Sequence, residues 1–131
     1  MVKAITDATF EQETKDGLVL IDFWATWCGP CVNELPEIQK VYSELKDKGI
    51  GVVGIVADGN DAKDTAKELI ELDSLKYKMI IPDSNLEKKL ISTLRGFPTS
   101  YVVDSEGKIL GMKLGGMNAE GFKAFIEQYA K

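Results

Sequence analysis

Apolar positions recur along this chain at two alternating spacings, strand-like and helix-like, and together they predict a layered α/β fold. Leu18 to Trp24 is a nearly unbroken apolar run, typical of a strand covered on both faces, and Asp22 is its one charged residue. Leu35, Ile38, Val41, Tyr42 and Leu45 then recur at helical spacing, so a helix is expected from about Cys31 to Lys48-Gly49, kinked at Pro36. Ile50 to Val56 is a second buried strand, and Asp58-Gly59-Asn60 reads as a turn capping a helix that runs to about Leu72. A short strand follows at Ile80 and Ile81. Ser84-Asn85-Leu86-Glu87 is a capping box for a helix carrying Leu86, Leu90, Ile91 and Leu94. Thr99 to Val103 and Ile109 to Leu114 flank the turn Asp104-Ser105-Glu106-Gly107 and predict a hairpin. Asn118 caps a last helix whose inward face is Phe122, Phe125, Ile126 and Tyr129, and Thr6 or Asp7 caps a short first helix that includes Phe10.

No repeat, low-complexity stretch or linker interrupts this order. The 131 residues therefore predict one domain, 1–131, long enough to bury a core. A net charge of −5 opposes an electrostatic grip on nucleic acid or on an anionic membrane. No apolar run approaches the roughly 18–20 residues that cross a bilayer, and Met1 to Asp7 lack the build of a secretory signal. As written, the chain reads as cytoplasmic and monomeric. The alternative is an extracytoplasmic protein whose anchor or signal is missing from the chain.

Two cysteines and no histidine change the picture most. A four-ligand Cys/His zinc site cannot be built from one chain, and Ser-His or Cys-His catalysis is excluded. No metal or bound cofactor is called for. As a structural staple the pair is badly placed, because closing so short a loop contributes about 2 kcal/mol against about 4–5 for a loop of about 100 residues. Chemistry suits it better. A thiolate, not a thiol, attacks disulfides. Cys28 stands where a strand turns into a helix, so free amide N–H groups and the helix dipole stabilise its charge. Pro30 fits the first helical turn, Gly29 leaves the sulfur uncrowded, and Cys31 lies on the same face within reach. Lowering a thiol pKa from about 8.5 to about 7 raises the thiolate at neutral pH from a few per cent to about half. That shift is roughly 2 kcal/mol, which a helix terminus with local N–H bonds can supply.

Ile21 to Cys31, with its Trp27-Cys28-Gly29-Pro30-Cys31 core, resembles the active-site segment of thioredoxins. Gly96-Phe97-Pro98-Thr99 resembles their cis-proline loop, and Pro36 their helix kink. The resemblance implies a thioredoxin fold, with a central mixed β-sheet flanked by helices. Between Val56 and Pro98, however, there is room for an extra helix and strand. That insertion resembles the TlpA- and ResA-like oxidoreductases, as does Glu34 within Asn33-Glu34-Leu35-Pro36. These resemblances imply a thiol-disulfide oxidoreductase that reduces disulfides in partner proteins. They also imply the roles of its residues. Cys28 attacks, Cys31 resolves, and the only redox group is the Cys28–Cys31 disulfide. Asp22 handles protons, with Glu34 as a second candidate. Trp27, Gly29, Pro30, Phe97, cis-Pro98 and Gly115, with Gly116 beside it, line the partner groove. By the same resemblances a thioredoxin reductase, or a membrane thiol conduit outside the cytoplasm, re-reduces the pair.

Each residue has a plainer reading. Asp22 in an apolar strand suits a structural ion pair, but Gly54 stands where thioredoxins place a nearby lysine, so burial is expected to raise the Asp22 pKa. Glu34 could be a solvated helix residue, Trp27 core, Pro98 an ordinary loop proline, and Phe97 mere packing. Three rival functions remain: an extracytoplasmic reductase of the TlpA/ResA type serving cytochrome c maturation or related repair, which that resemblance implies; a redox-independent binding module; and a thiol peroxidase, whose Pro-x-x-x-Thr-x-x-Cys pattern is missing because Ile21 and Ala25 occupy the key positions.

Overall fold

The structure is a computed structural model that describes residues 17–58 and 62–130. Five strands form one mixed sheet: β1 (Val19–Trp24), β2 (Gly51–Val56), β3 (Lys78–Ile80), β4 (Thr99–Val103) and β5 (Ile109–Leu114). They lie in the order β3-β2-β1-β4-β5, so β1 is central. It pairs in parallel with β2 and antiparallel with β4, while β2–β3 is parallel and β4–β5 antiparallel. The helices are α1 (Gly29–Asp47), α2 (Lys63–Leu72), α3 (Ser84–Thr93) and α4 (Ala119–Glu127). This is a thioredoxin fold, with α2 and β3 as the extra helix and strand expected between Val56 and Pro98.

Alternation along β1 divides the core into two layers. Leu20 and Trp24 face the layer that holds Leu35, Ile38 and Leu45 of α1 and Phe122, Phe125 and Ile126 of α4. Val19, Ile21 and Phe23 face the other layer with Val53, Ile55 and Val103. Asp22 shares the parity of Leu20 and Trp24, so its carboxyl points beneath α1. All six β1 residues are buried, as the unbroken apolar run predicted.

Several local expectations hold. The Asn118 side chain accepts the Gly121 N–H at 2.8 Å, a side-chain cap for α4. Gly107, at φ +83°, takes the left-handed position in the β4–β5 turn. α1 runs through Pro36 to Asp47. Other expectations shift. α1 begins at Gly29, with Cys28 itself as N-cap. The inserted strand sits at Lys78–Ile80 rather than at Ile80 and Ile81. α2 has Ala62 as N-cap with no side-chain cap bond, because the Asp58 carboxylate is engaged elsewhere by Thr26. α3 starts at Ser84, with the Asp83 carbonyl accepting the Glu87 N–H, so Ser84 stands in the first turn and not before it. The helix expected around Phe10, residues Gly59 and Asn60 of the predicted turn, and the side chains of Leu86, Leu90 and Ile91 lie outside the described residues.

Phe122 is fully buried in the layer shared by α1 and α4, which anchors the loop before α4 against the start of α1. Phe122→Ala should lower stability by about 3–5 kcal/mol, read as a fall in the urea midpoint with an unchanged slope. A loss under about 1 kcal/mol would show that α4 contributes little to the core.

Candidate active site

β1 ends at Trp24, and the chain turns at once into α1. The Ala57 N–H bonds the Trp24 carbonyl at 2.8 Å, and the Cys28 N–H bonds the Ala25 carbonyl at 3.1 Å. The Thr26 N–H donates to the Asp58 carboxylate at 2.9 Å, and the Thr26 hydroxyl donates to its other oxygen. These bonds fix the loop that presents Cys28 in extended backbone conformation as the N-cap of α1. Its sulfur accepts the Cys31 N–H at 3.2 Å, and Cys28 and Cys31 are joined as a disulfide. The first turn of the helix carries no acid to oppose a negative sulfur. Gly29 and Pro30 are exposed beside it, Cys28 is barely open to solvent, and Cys31 is fully buried.

The rest of the rim comes from distant segments. Trp27 is 71% exposed, and its ring meets Phe97 edge to face at 5.7 Å. The Phe97–Pro98 bond is cis. The Thr99 hydroxyl donates to the Gly96 carbonyl at 2.6 Å, bracing that loop. Gly115, at φ +105°, donates its N–H to the Pro98 carbonyl at 2.9 Å and so docks the segment after β5 on the proline loop. Gly116 packs over the start of α1; a Cβ there would lie 3.7 Å from both the Pro30 carbonyl and a Glu34 oxygen. The structure thus brings together all the residues singled out in the sequence.

Beneath the cysteines lies a pair of buried carboxyls. Asp22 and Glu34 are both sequestered from solvent. One Glu34 oxygen accepts the Met117 N–H at 3.0 Å. No donor among the described residues reaches either Asp22 oxygen or the other Glu34 oxygen. The two carboxyls lie close enough for each to shift the other's titration, which favours a proton on one of them. Burial is the main reason the Asp22 pKa is raised, as expected where Gly54 stands beside it in register. Burial, and then the charge of Asp22, raise Glu34 as well.

Three contributors were missed in the sequence. Met79 pairs with Gly54 on β3, and its sulfur fills the space a side chain at 54 would need, next to the Trp24 indole nitrogen. Tyr77 is buried, its hydroxyl lies 3.4 Å from the Leu35 carbonyl, and burial, then Asp22 and Glu34, raise its pKa. The Met117 amide is the third. An aromatic residue just before the inserted strand was a signal for Tyr77; the other two had none. Among the described residues no three His, Cys, Asp or Glu side chains are grouped as a metal site would need.

Residues 3–127 match the Redoxin family. The chain belongs to that family. This redoxin is 53% identical over 60 residues to a thioredoxin of Listeria monocytogenes, covering 46% of the chain and 57% of that protein. It is 29% identical over 112 residues to the thiol-disulfide oxidoreductase ResA of Bacillus thuringiensis, covering 84% of the chain and 62% of that protein. The redoxin thus spans 57% to 62% of the length of these curated relatives. Among solved structures, the thioredoxin domain of a thiol-disulfide oxidoreductase from Bacteroides vulgatus is similar at a TM-score of 0.77 and 27% identity, covering 95% of this chain and 84% of that one. StoA from Bacillus subtilis is similar at 0.70 and 25%, covering 83% and 81%. Thioredoxin-like and ResA-like traits therefore meet in one chain. Among the described residues no helix is long and apolar enough to cross a membrane.

The carboxyl pair makes stability depend on pH. Both pKa values are raised on folding, so their contribution is full below the unfolded carboxylate values of about 4 and is lost as pH rises through the folded values. Asp22→Asn removes the charge that must be buried at high pH. The oxidised variant should exceed the oxidised parent at pH 8 by more than about 1.4 kcal/mol, one pKa unit's worth, and the gap should shrink towards pH 4. Urea midpoints across that range decide it; parallel pH profiles would refute the buried charge.

Proposed function

We propose that this redoxin is a thiol-disulfide oxidoreductase that reduces disulfides in partner proteins. The observation that carries the reading is the Cys28 sulfur at the head of α1, accepting the Cys31 N–H and already bonded to Cys31. In the reduced form the Cys28 thiolate attacks one sulfur of a partner disulfide. That bond breaks, a mixed disulfide forms, and the first partner thiolate leaves to take a proton from water. Cys31 then loses its proton towards the Asp22–Glu34 pair and attacks the Cys28 sulfur. The second partner thiolate leaves, and two electrons have passed from the dithiol to the partner.

The partner groove is the surface made by Trp27, Gly29, Pro30, Phe97, Pro98 and Gly115. Its support is the contact of Trp27 with Phe97 and the docking of Gly115 on Pro98. An extended segment of the partner would lie against the Phe97 backbone as a short added strand. The protein works as a monomer, with no bound cofactor beyond the cysteine pair. Its upstream donor is a thioredoxin reductase or a membrane thiol conduit. The ResA match over 84% of the chain supports a second reading, the same chemistry outside the cytoplasm; re-reduction by purified thioredoxin reductase with NADPH would count against it.

Cys28→Ser should abolish reduction of insulin disulfides. Cys31→Ser should keep the first attack and accumulate covalent mixed disulfides with partners, visible on a non-reducing gel. Unchanged reduction by Cys28→Ser, or no trapped species with Cys31→Ser, would refute the dithiol mechanism and favour a redox-independent binding module.

A further inference from the structure

Exposed apolar side chains gather on one strand. Ile109, Leu110, Met112 and Leu114, all on the edge strand β5, are four of the six large apolar residues left open to solvent among the described residues. Met112 pairs with Tyr101 and Leu114 with Thr99, so these side chains lie on the face of the sheet that carries Ile21 and Phe23, away from α1. There Leu94, Arg95, Thr99, Tyr101, Met112 and Leu114 line a cavity of ≈ 350 Å³. Phe23 holds the Tyr101 ring edge to face at 5.1 Å. Met112 is 58% exposed and Leu114 48%, so this hollow opens to solvent. Among the described residues no acidic side chain lines it, and the Arg95 guanidinium has neither a carboxylate nor a hydrogen-bond partner. Single exposed apolar residues are ordinary. A hollow of them with one unpaired cation at its rim, in a chain of 21 acids and 16 bases, marks a contact surface. The backbone joins this hollow to the partner groove. Arg95 and Thr99 bracket the Gly96-Phe97-Pro98 loop, and Leu114 precedes Gly115, whose N–H docks on the Pro98 carbonyl. A Leu114 methyl carbon lies 3.6 Å from where a Gly96 Cβ would stand. Phe97 packs against both core layers, so its loop carries the groove around the end of the sheet to this face.

We propose that this hollow is a specificity subsite for partner proteins: it takes a bulky apolar side chain, with a carboxylate beside it for Arg95, from the chain that flanks the partner's disulfide. The proposal rests on the dithiol reading, since it says which disulfides that chemistry meets. An added strand gains affinity from main-chain bonds, which are the same for every sequence, and specificity from pockets that take alternate side chains. The hollow is such a pocket, placed where a strand laid against Phe97 would continue. Its volume lies at the small end of ligand sites, which run from about 300 to 1,000 Å³, and suits one large side chain with its neighbour. Charge sets the sign. Arg95 attracts a carboxylate, and with no acid in the described lining a lysine finds no partner there. The apolar walls set the larger share of the preference, because the ion pair forms at an exposed rim where water and salt screen it.

The test uses the full chain, reduced and in stoichiometric amount, against short peptides that each contain one intramolecular disulfide. The segments flanking the cysteines carry leucine with aspartate, leucine with lysine, serine with aspartate, or serine with lysine. The reduced peptide is measured by chromatography after an acid quench. Each rate is divided by that for hydroxyethyl disulfide, which has no flank and reports the cysteines alone. The leucine–aspartate peptide should be reduced about 10-fold faster than the serine–aspartate one, the worth of a small apolar contact. It should also outpace the leucine–lysine peptide by about 5-fold, the upper end for a solvent-exposed ion pair. That second ratio should fall towards unity in about 1 M salt. Arg95→Glu should reverse the preference between aspartate and lysine. Met112→Ser combined with Leu114→Ser should erase the preference for leucine over serine. Equal rates for all four peptides in the native protein, or preferences that survive these variants, would overturn the subsite. Equal rates together with a sedimenting dimer, dispersed by the two serine substitutions, would assign the face to a second copy instead. Failure of the dithiol reading has a different signature: no reaction with hydroxyethyl disulfide, which would remove the chemistry and the subsite with it.

Discussion

The contact on which the structure turns is one hydrogen bond, from the Cys31 amide to the Cys28 sulfur at the first turn of α1. It is made by a helix terminus that has amides to spare, because the first N–H groups of any helix lack partners within it. Everything nearby serves to bring that terminus to the edge of the sheet. The buried apolar run of β1 fixes the strand between β2 and β4, and the Thr26–Asp58 bonds stop the connecting loop from wandering. Pro30 enters α1 in its first turn, where its missing N–H costs nothing. Cys28 can then cap the helix with a sulfur instead of an oxygen. The cis-proline loop and the segment at Gly115 close the rim around it.

The second constraint is costly and works against stability. Two carboxyls are buried together, and among the described residues they have no cation and a single amide donor between them. A buried charge without a partner is expensive, and the molecule lowers that cost by keeping a proton on the pair. Gly54 sharpens the effect, since it places nothing next to Asp22 in register and leaves the space to the Met79 sulfur. Such conflicts with core packing persist where chemistry needs them. Here the conflict lies beside the core layer that holds Cys31, since Asp22 shares the parity of Leu20 and Trp24 and Glu34 is one helical turn from Cys31.

The elements governed by local pattern were legible in the sequence. β1, β2, the β4–β5 hairpin and the Asn118 cap arise from runs, spacing and turn residues within a few positions of one another. The cysteine pair was legible for the same reason, and the cis peptide at Pro98 by resemblance alone. Contacts between distant segments were not. Asp58 looks like a helix cap from its neighbours, yet it bonds Thr26, 32 residues away, because the turn after β2 lies beside the turn after β1. The Met117 N–H reaches Glu34 across 83 residues, and no property of methionine announces that its backbone will be a donor. Tyr77 and Met79 join the site only because β3 adds in parallel to β2. Asp22 was conspicuous as an acid among apolar residues; its pairing with Glu34 needed the packing of α1 on the sheet.

The most direct test of the central contact is the rate at which the reduced protein is alkylated at Cys28 by iodoacetamide as pH is varied. A sulfur stabilised by the helix terminus gives a reactivity midpoint well below the free-thiol value of about 8.5. A midpoint at or above that value would contradict the account.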